Sequence, residues 1–162
     1  MMMHRRLHKE TVILNILASG WRMQMYLSTK QTMQESHLFE YAVIRIVPHV
    51  EREEFINAGV ILYCKQQQFL SARWSLDEKL MALFAPQLDL TELKHNLCAF
   101  DVICKGGPEG GTIGQLDMPG RFRWLTATRS TILQPSSVHP GYTTDAAATL
   151  EKLFAQLVLR ED

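Results

Sequence analysis

The residues best suited to chemistry in the first half of the chain are Arg45, Arg52, Glu54 and Asn57. Arg45 is the one charge in the apolar stretch 41–47, and it needs a partner because burying a lone guanidinium is very costly. One interpretation is an internal ion pair, in which Glu54 neutralises Arg45 or Arg52 while Asn57 helps to form a turn. The functional alternative is that the arginines bind a phosphate or a carboxylate, since the guanidinium fork matches both anions.

A second basic group surrounds a glycine-rich loop in the C-terminal half. It comprises Lys105, Arg121, Arg123 and Arg129. Phe122 and Trp124 are interleaved with these arginines, and proteins that bind single-stranded nucleic acid use such aromatic rings for stacking beside phosphate contacts. The loop, residues 106–111, lacks the terminal Gly-Lys-Ser/Thr of a phosphate-binding loop and follows a predicted helix instead of a strand. The group indicates either an anion or nucleic-acid site or a solvated surface that faces a partner.

Catalytic and metal-binding motifs are missing from the sequence. Glu54, which follows another glutamate and Arg52, is the best acid or base for a small hydrolase or nuclease, although a solvated acidic run is the simpler interpretation. His139, Ser130 and Asp145 form no catalytic triad motif, because no nucleophile elbow accompanies them. Within the predicted domain, no two of the histidines His37, His49, His95 and His139 have metal-ligand spacing. We therefore predict no catalytic residue, no metal site and no cofactor.

The composition is that of an ordinary globular protein, with 46% apolar and 21% charged residues in a chain of 162. This length suits one domain with a single core. Because the formal net charge is zero, only a local patch could attract nucleic acid or an anionic membrane. Cys64, Cys98 and Cys104 are odd in number and lie in apolar stretches, which predicts buried free thiols and a cytoplasmic location.

Residues 1–35 differ in character from the rest of the chain. They hold six of the eight methionines and five basic residues against two acidic ones. The apolar run 12–18 is interrupted by Asn15 and is shorter than the roughly 20 residues that span a bilayer, so we predict no membrane span. We interpret the segment as an N-terminal extension that is disordered or lies before a true start at Met33. The alternatives are a secretory signal and an amphipathic helix that binds a partner or a membrane surface.

Residues 36–160 predict a single α+β domain, with one antiparallel sheet of about four strands. Strands are predicted at residues 39–47, 58–64, 69–74 and 130–134. The first two are almost continuously apolar, which predicts central strands covered on both faces. Short links between the first three predict a meander. Pro140 and Gly141 predict a turn.

Three main helices are expected to pack on this sheet. Ser75 with Glu78, and Asp89 with Glu92, have the spacing of capping boxes, and Thr144 is the predicted cap of the third helix. The predicted apolar faces are Leu76, Leu80, Leu83 and Phe84 in the first helix, Leu90, Leu93, Leu97, Phe100 and Cys104 in the second, and Leu150, Leu153, Phe154 and Leu157 in the third. Asp117 is expected to begin a short additional helix.

Several segments resemble a bacterial family of short proteins. The resemblance is carried by Tyr41-Ala42-Val43-Ile44-Arg45, Pro48, Arg52-x-Glu54-Phe55-x-Asn57-x-Gly59, residues 60–64, Phe122-x-Trp124-Leu125 and Arg129-Ser130-Thr131. Over about residues 39–159 the chain is similar to domain of unknown function 3037. That family has no assigned activity. The resemblance implies the domain boundaries and, as a partner, a HipA-like kinase-fold protein.

These observations favour a non-enzymatic accessory or interaction domain, acting with a kinase-like partner. The first alternative is a module that binds anions or single-stranded nucleic acid through Arg45, Arg52, Arg121, Arg123 and Arg129. The second alternative is a small hydrolase or nuclease that uses Glu54, which requires Glu54 to lie in a pocket beside other polar groups.

Overall fold

A computed structural model of the chain describes residues 35–129 and 131–160. Five strands and five helices follow one another in the order β1 His37–His49, β2 Glu54–Cys64, β3 Phe69–Trp74, α1 Glu78–Phe84, α2 Leu90–Lys105, α3 Gly111–Gly114, α4 Met118–Leu125, β4 Leu133–Pro135, β5 His139–Thr143 and α5 Ala146–Leu157. Short 3₁₀ turns occupy Val50–Arg52 and Pro108–Gly110. The prediction for the N-terminal extension falls almost entirely outside the described residues.

One antiparallel sheet has the strand order β3-β2-β1-β4, and β5 also pairs with β1. The predicted α+β fold and the meander of the first three strands are confirmed. The turn predicted at Pro140 and Gly141 is wrong, because both residues belong to β5. β1 has 13 residues, which is long enough for β4 to pair beside Arg45 while β5 pairs further towards His37.

Both faces of the sheet are covered. On one face, Ala42 and Ile44 of β1 pack in a cluster with Leu97 of α2 and Phe122 of α4. Val60 and Leu62 of β2 contribute to a cluster on the opposite face with Ala146 and Leu150 of α5. Strands that are buried on both sides lose the alternation of apolar and polar residues, which explains the continuous apolar runs.

A β-bulge in β2 sets the positions of the polar residues near the end of the strand pair. Ile44 lies opposite Gly59 but Arg45 lies opposite Asn57, so Ala58 has no partner in β1. A side chain at Gly59 would lie 2.8 Å from the Arg73 carbonyl oxygen of β3, which explains the glycine. The extra residue places Asn57 on the same face of the sheet as Arg45.

The helix caps differ in detail from the predictions. Asp89 caps α2 as expected, but Asp77 and not Ser75 caps α1, and Asp145 and not Thr144 caps α5. In both corrected cases an aspartate nearer to the first helical turn accepts a backbone hydrogen bond, and its charge favours the positive end of the helix dipole.

Two predictions of burial are wrong. Leu83 in α1 is 85% exposed and Met81 is buried in its place, because α1 has only seven residues and contacts the sheet through a narrow stripe. Cys98 in α2 is exposed, whereas Cys64 and Cys104 are buried as expected. Within the described ranges, no helix combines the length and apolar character required to cross a membrane.

Candidate functional site

Three polar side chains occupy directly opposite positions on neighbouring strands. Arg45 of β1 pairs with Asn57 of β2 on one side and with Gln134 of β4 on the other. Opposite residues of an antiparallel pair project from the same face of a sheet, so the three side chains form a row on the face that α5 partly covers. We call Gln134, Arg45 and Asn57 the polar row.

Each member of the polar row has a buried polar atom that finds no hydrogen-bond partner among the described residues. These atoms are Arg45 Nε, Asn57 Oδ1 and Gln134 Nε2. The amide of Asn57 is oriented by its Nδ2 atom, which donates to the carbonyl oxygen of Leu157 over 3.0 Å. The Arg45 guanidinium lies over the Phe55 ring, with its central carbon 4.2 Å from the ring centre. Asn57 and Arg45 are therefore fixed in position while part of their hydrogen-bonding capacity remains unused.

The predicted internal ion pair is absent from the described residues. Glu54 and Arg52 are both exposed, and among the described residues no salt bridge joins Glu54 to Arg45 or to Arg52. Glu54 lies opposite His49 at the end of β1, beyond Arg45, and Arg52 belongs to the 3₁₀ turn. The structure thus brings Arg45 and Asn57 together and leaves the other two members of the predicted group at the surface.

The exposed position of Glu54 also bears on acid–base chemistry. Glu54 lines none of the three cavities described below. An acid or base catalyst needs a concave site with convergent polar groups, and a role of Glu54 in such chemistry stays a prediction.

The arginines of the second basic group are used in three different ways. Arg121 donates from Nη1 to the Leu116 carbonyl oxygen at 2.7 Å and from Nη2 to the Cys104 carbonyl oxygen at 3.5 Å. Arg123 is exposed. Arg129 lies over the Trp124 ring at 3.8 Å and donates a hydrogen bond to the Trp124 carbonyl oxygen. Burial lowers the pKa of Arg129. Only the last two arginines are directed to the surface and available to a ligand.

A cavity of about 560 Å³ lies between α2 and the segment that links α4 to β4. Its lining includes Leu93, Phe100 and Ile103 of α2, and Trp124, Arg129 and Ile132 on the opposite side. We call it the α2–α4 groove. The sequence predicts the apolar face of α2 and indicates that all of it is core. The groove is not evident in the sequence, because it depends on the positions of Trp124 and Ile132 opposite that face.

The rim of the α2–α4 groove is mixed in character. Trp124 is 37% exposed and Ile132 is 44% exposed, so both present apolar surface to solvent. Asp89 and Glu92 lie on the α2 side and Arg129 lies on the other. The Asp89 carboxylate accepts from the backbone N–H groups of Thr91 and Glu92, which leaves Glu92 as the free acidic group of the rim.

Two smaller cavities lie near the end of the described chain. One of about 340 Å³ is lined by residues of β2, α1 and the segment 158–160. The other, of about 240 Å³, is lined by Phe55, Ile56 and Asn57 together with residues 157–160. In the part of the chain that the structure describes, no three histidine, cysteine or acidic side chains are grouped so as to hold a metal ion.

The fold and these cavities define a small α+β protein with one antiparallel sheet, an apolar groove and a separate row of polar side chains. The model of the family described as "Protein of unknown function (DUF3037)" matches residues 41–158, and the chain belongs to that family. The resemblance inferred from the sequence motifs is thereby confirmed. No curated protein and no solved structure matches the chain.

Proposed function

We propose that this chain is a non-enzymatic interaction domain that binds an apolar segment of a partner protein in the α2–α4 groove. The observation that carries the proposal is the exposure of Trp124 and Ile132 beside an apolar floor that includes Phe100. Contiguous exposed apolar surface with a polar rim is typical of protein-binding sites. Tryptophan and arginine are also the residues most enriched among those that dominate binding energy at interfaces.

The charges at the rim indicate what the bound segment carries. Glu92 on one side favours a basic residue of the partner, and Arg129 on the other favours an acidic residue or a free backbone carbonyl group. The Arg129 guanidinium lies over the Trp124 ring and donates to the Trp124 carbonyl oxygen, so its position is set before binding and little side-chain entropy is lost. We expect a short apolar segment flanked by charges of opposite sign.

The family resemblance supports a HipA-like kinase-fold protein as the partner. We further propose that the domain acts in the cytoplasm of a bacterial cell. The free thiols of Cys64, Cys98 and Cys104 agree with a reducing compartment, where unpaired cysteines persist.

Co-purification with the HipA-like protein from a native host tests the proposal, followed by titration of the purified pair. Trp124→Ala and Ile132→Ser each remove apolar surface from the rim of the groove and are expected to weaken binding by at least about tenfold, which corresponds to about 1.4 kcal/mol. Leu83→Ser is the matched control, because Leu83 is an apolar residue that is 85% exposed and lies outside the groove. The affinity of the Leu83→Ser variant for the partner should equal that of the unmodified chain.

Equal affinities for all three variants would place the interface elsewhere. A chain that remains without a protein partner under these conditions would contradict the proposal as a whole. Binding of small apolar molecules in the groove, without any protein, would assign the groove to a ligand instead.

Single-stranded nucleic acid is the second candidate ligand. The stacked pair of Arg129 and Trp124 favours it, together with the exposed guanidinium of Arg123 on the same helix as Trp124. Phosphate contacts release counterions, so binding to a labelled oligonucleotide should fall steeply as salt rises and should weaken in the Arg123→Ala variant. Binding that is absent or insensitive to salt would remove this candidate, whereas the apolar groove predicts a protein affinity that changes little with salt.

A further inference from the structure

The polar row is unusual because three unsatisfied polar atoms occur in one place. More than nine-tenths of buried polar groups in proteins have a hydrogen-bond partner, and an unpaired one is destabilising. Four side chains in the described residues have such atoms, and three of the four are Arg45, Asn57 and Gln134. They lie side by side across three strands, so a single small molecule could contact all of them.

Within the described residues, no acidic side chain forms an ion pair with the charge in the row. The ion pairs between lysine or arginine and acidic side chains in the described residues are Arg73 with Glu151 and Lys94 with Glu78, and neither involves Arg45. The Arg45 guanidinium lies over the Phe55 ring, and among the described residues its Nε donor has no hydrogen-bond partner. A partly buried guanidinium with open donors is the usual receptor of a carboxylate.

The two amides determine what must accompany that carboxylate. Asn57 uses Nδ2 to donate to the Leu157 carbonyl oxygen, so its Oδ1 atom can only accept. The unpaired atoms of Arg45 and Gln134 are nitrogen donors. Neighbouring strands are about 4.8 Å apart, so donors on β1 and β4 and an acceptor on β2 fit a ligand only a few bonds long.

We propose that the polar row binds a carboxylate that carries an N–H or O–H donor one or two bonds away. The carboxylate oxygens accept from Arg45 and Gln134, and the neighbouring donor of the ligand binds Asn57 Oδ1. An N-acylated amino acid and the C-terminus of a peptide share this chemistry. The site lies on the α5 side of the sheet, is distinct from the α2–α4 groove and does not depend on the function proposed for that groove.

The surroundings of the row suit an anion. Phe55 is 46% exposed, which leaves the ring beside Arg45 open to solvent. Phe55 and Asn57 also line the cavity of about 240 Å³, where Arg160 supplies a second positive charge and none of the described lining residues is acidic. Two guanidinium groups near one cavity raise the local concentration of anions even though the whole chain has no net charge.

The test uses the full chain with N-acetylglycine as the probe and the neutral N-acetylglycinamide as its matched control. Binding is followed by the NMR signal of the Arg45 side-chain Nε–H group, which an anion shifts directly. We expect N-acetylglycine to shift this signal and N-acetylglycinamide to leave it unchanged. In calorimetry, Arg45→Gln and Gln134→Leu should each raise the Kd for N-acetylglycine by at least about tenfold. Arg123→Gln, a change at an exposed arginine, should leave this Kd unchanged.

Gln134→Leu keeps the test decisive if Arg45→Gln fails to fold, because it removes one donor without altering the charge. Three results would overturn the proposal: equal binding of the two probes, no binding of either probe, or a Gln134→Leu variant that binds N-acetylglycine as tightly as the unmodified chain does. A hexapeptide with a free C-terminus, compared with its amidated form, then distinguishes the two sources of the carboxylate. Preference for the free peptide over N-acetylglycine would identify a peptide terminus, and equal affinity would identify a small acid.

Discussion

At the scale of single residues, three arginines have different roles. Arg45 lies against Phe55 and has no carboxylate partner among the described residues, Arg121 donates to backbone carbonyl groups, and Arg129 lies over Trp124. All three were candidates for anion binding in the sequence. Their neighbours in space decide the difference, because the Arg121 guanidinium donates to two backbone carbonyl groups, whereas the Arg129 guanidinium donates to one.

The structural role of Arg121 leads to a prediction about stability. Its guanidinium satisfies the carbonyl oxygens of Leu116 and Cys104, the latter at the C-terminal end of α2. Arg121→Met removes both bonds and the favourable charge at that helix end, and is expected to lower the free energy of unfolding by about 1–3 kcal/mol. Arg123→Met changes an exposed arginine two positions away, and its free energy of unfolding should stay within about 0.5 kcal/mol of that of the unmodified chain. Urea denaturation measures the free energy of unfolding of both variants. Equal values for the two variants would show that the Arg121 contacts contribute nothing to stability.

Cys104 predicts how stability responds to alkaline pH. Burial, assisted by the negative charge of Asp101, raises the pKa of the Cys104 thiol from 9.0 to about 12. Between these values the unfolded chain loses the proton while the folded chain keeps it, so the free energy of unfolding falls as pH rises, by up to about 1 kcal/mol per pH unit. Urea denaturation at several pH values in this range gives the slope of the free energy of unfolding against pH. This slope should be smaller for Cys104→Ala than for the unmodified chain and unchanged for Cys98→Ala. Identical slopes in the unmodified chain and the two variants would contradict the assignment of this pH dependence to the Cys104 thiol.

At the scale of elements, short irregularities position the side chains that matter. The bulge at Ala58 shifts β2 by one residue and brings Asn57 opposite Arg45. After α2, Gly106 has φ +77 and ψ 177, a backbone conformation that is essentially restricted to glycine. A Cβ atom there would lie 2.9 Å from the central carbon of the Arg121 guanidinium. The end of α2 and the start of the connection to α4 therefore depend on this glycine.

Gly106→Ala is expected to destabilise the domain by about 1–3 kcal/mol, because it adds backbone strain and displaces the Arg121 side chain. Gly110→Ala is the matched control, since that glycine has a negative φ and an added Cβ atom would have its nearest neighbour at an ordinary 3.6 Å. Thermal unfolding of the two variants tests the difference. A Gly106→Ala protein as stable as the control would mean that the loop adapts without cost.

At the scale of the whole molecule, three clusters of buried residues hold the fold together. The cluster around Ile44 and Leu97 and the cluster around Val60 and Leu150 lie on opposite sides of the sheet. A third, around Ile46, Met81 and Leu93, joins the sheet to α1 and the start of α2. Every residue of these clusters lies between residues 39 and 158.

A fragment of residues 36–160 is expected to fold alone, because it contains all of this buried apolar surface. We predict a single cooperative unfolding transition and a free energy of unfolding within about 1 kcal/mol of that of the full chain. Circular dichroism and urea denaturation of the two proteins provide the comparison. A fragment that fails to unfold cooperatively would show that the N-terminal residues contribute to the core.

The sequence by itself determined the first three strands and the order of the main helices, but not β5. Continuous β-branched and aromatic runs specified β1 and β2, and apolar residues at helical spacing specified α2 and α5. These signals are local, because backbone preference and one-sided burial act within a few residues. The family motifs belong to the same local level and placed the match at residues 41–158.

The tertiary structure alone decided which polar residues meet. Gln134 joined the row beside Arg45 only because β4 pairs with β1, and Glu54 left the expected group because the bulge and the 3₁₀ turn direct it to solvent. The α2–α4 groove likewise depends on where the chain runs after Trp124. Strand pairing and uncovered surface are relations between distant segments, and local residue patterns contain no information about the distances that separate those segments in space.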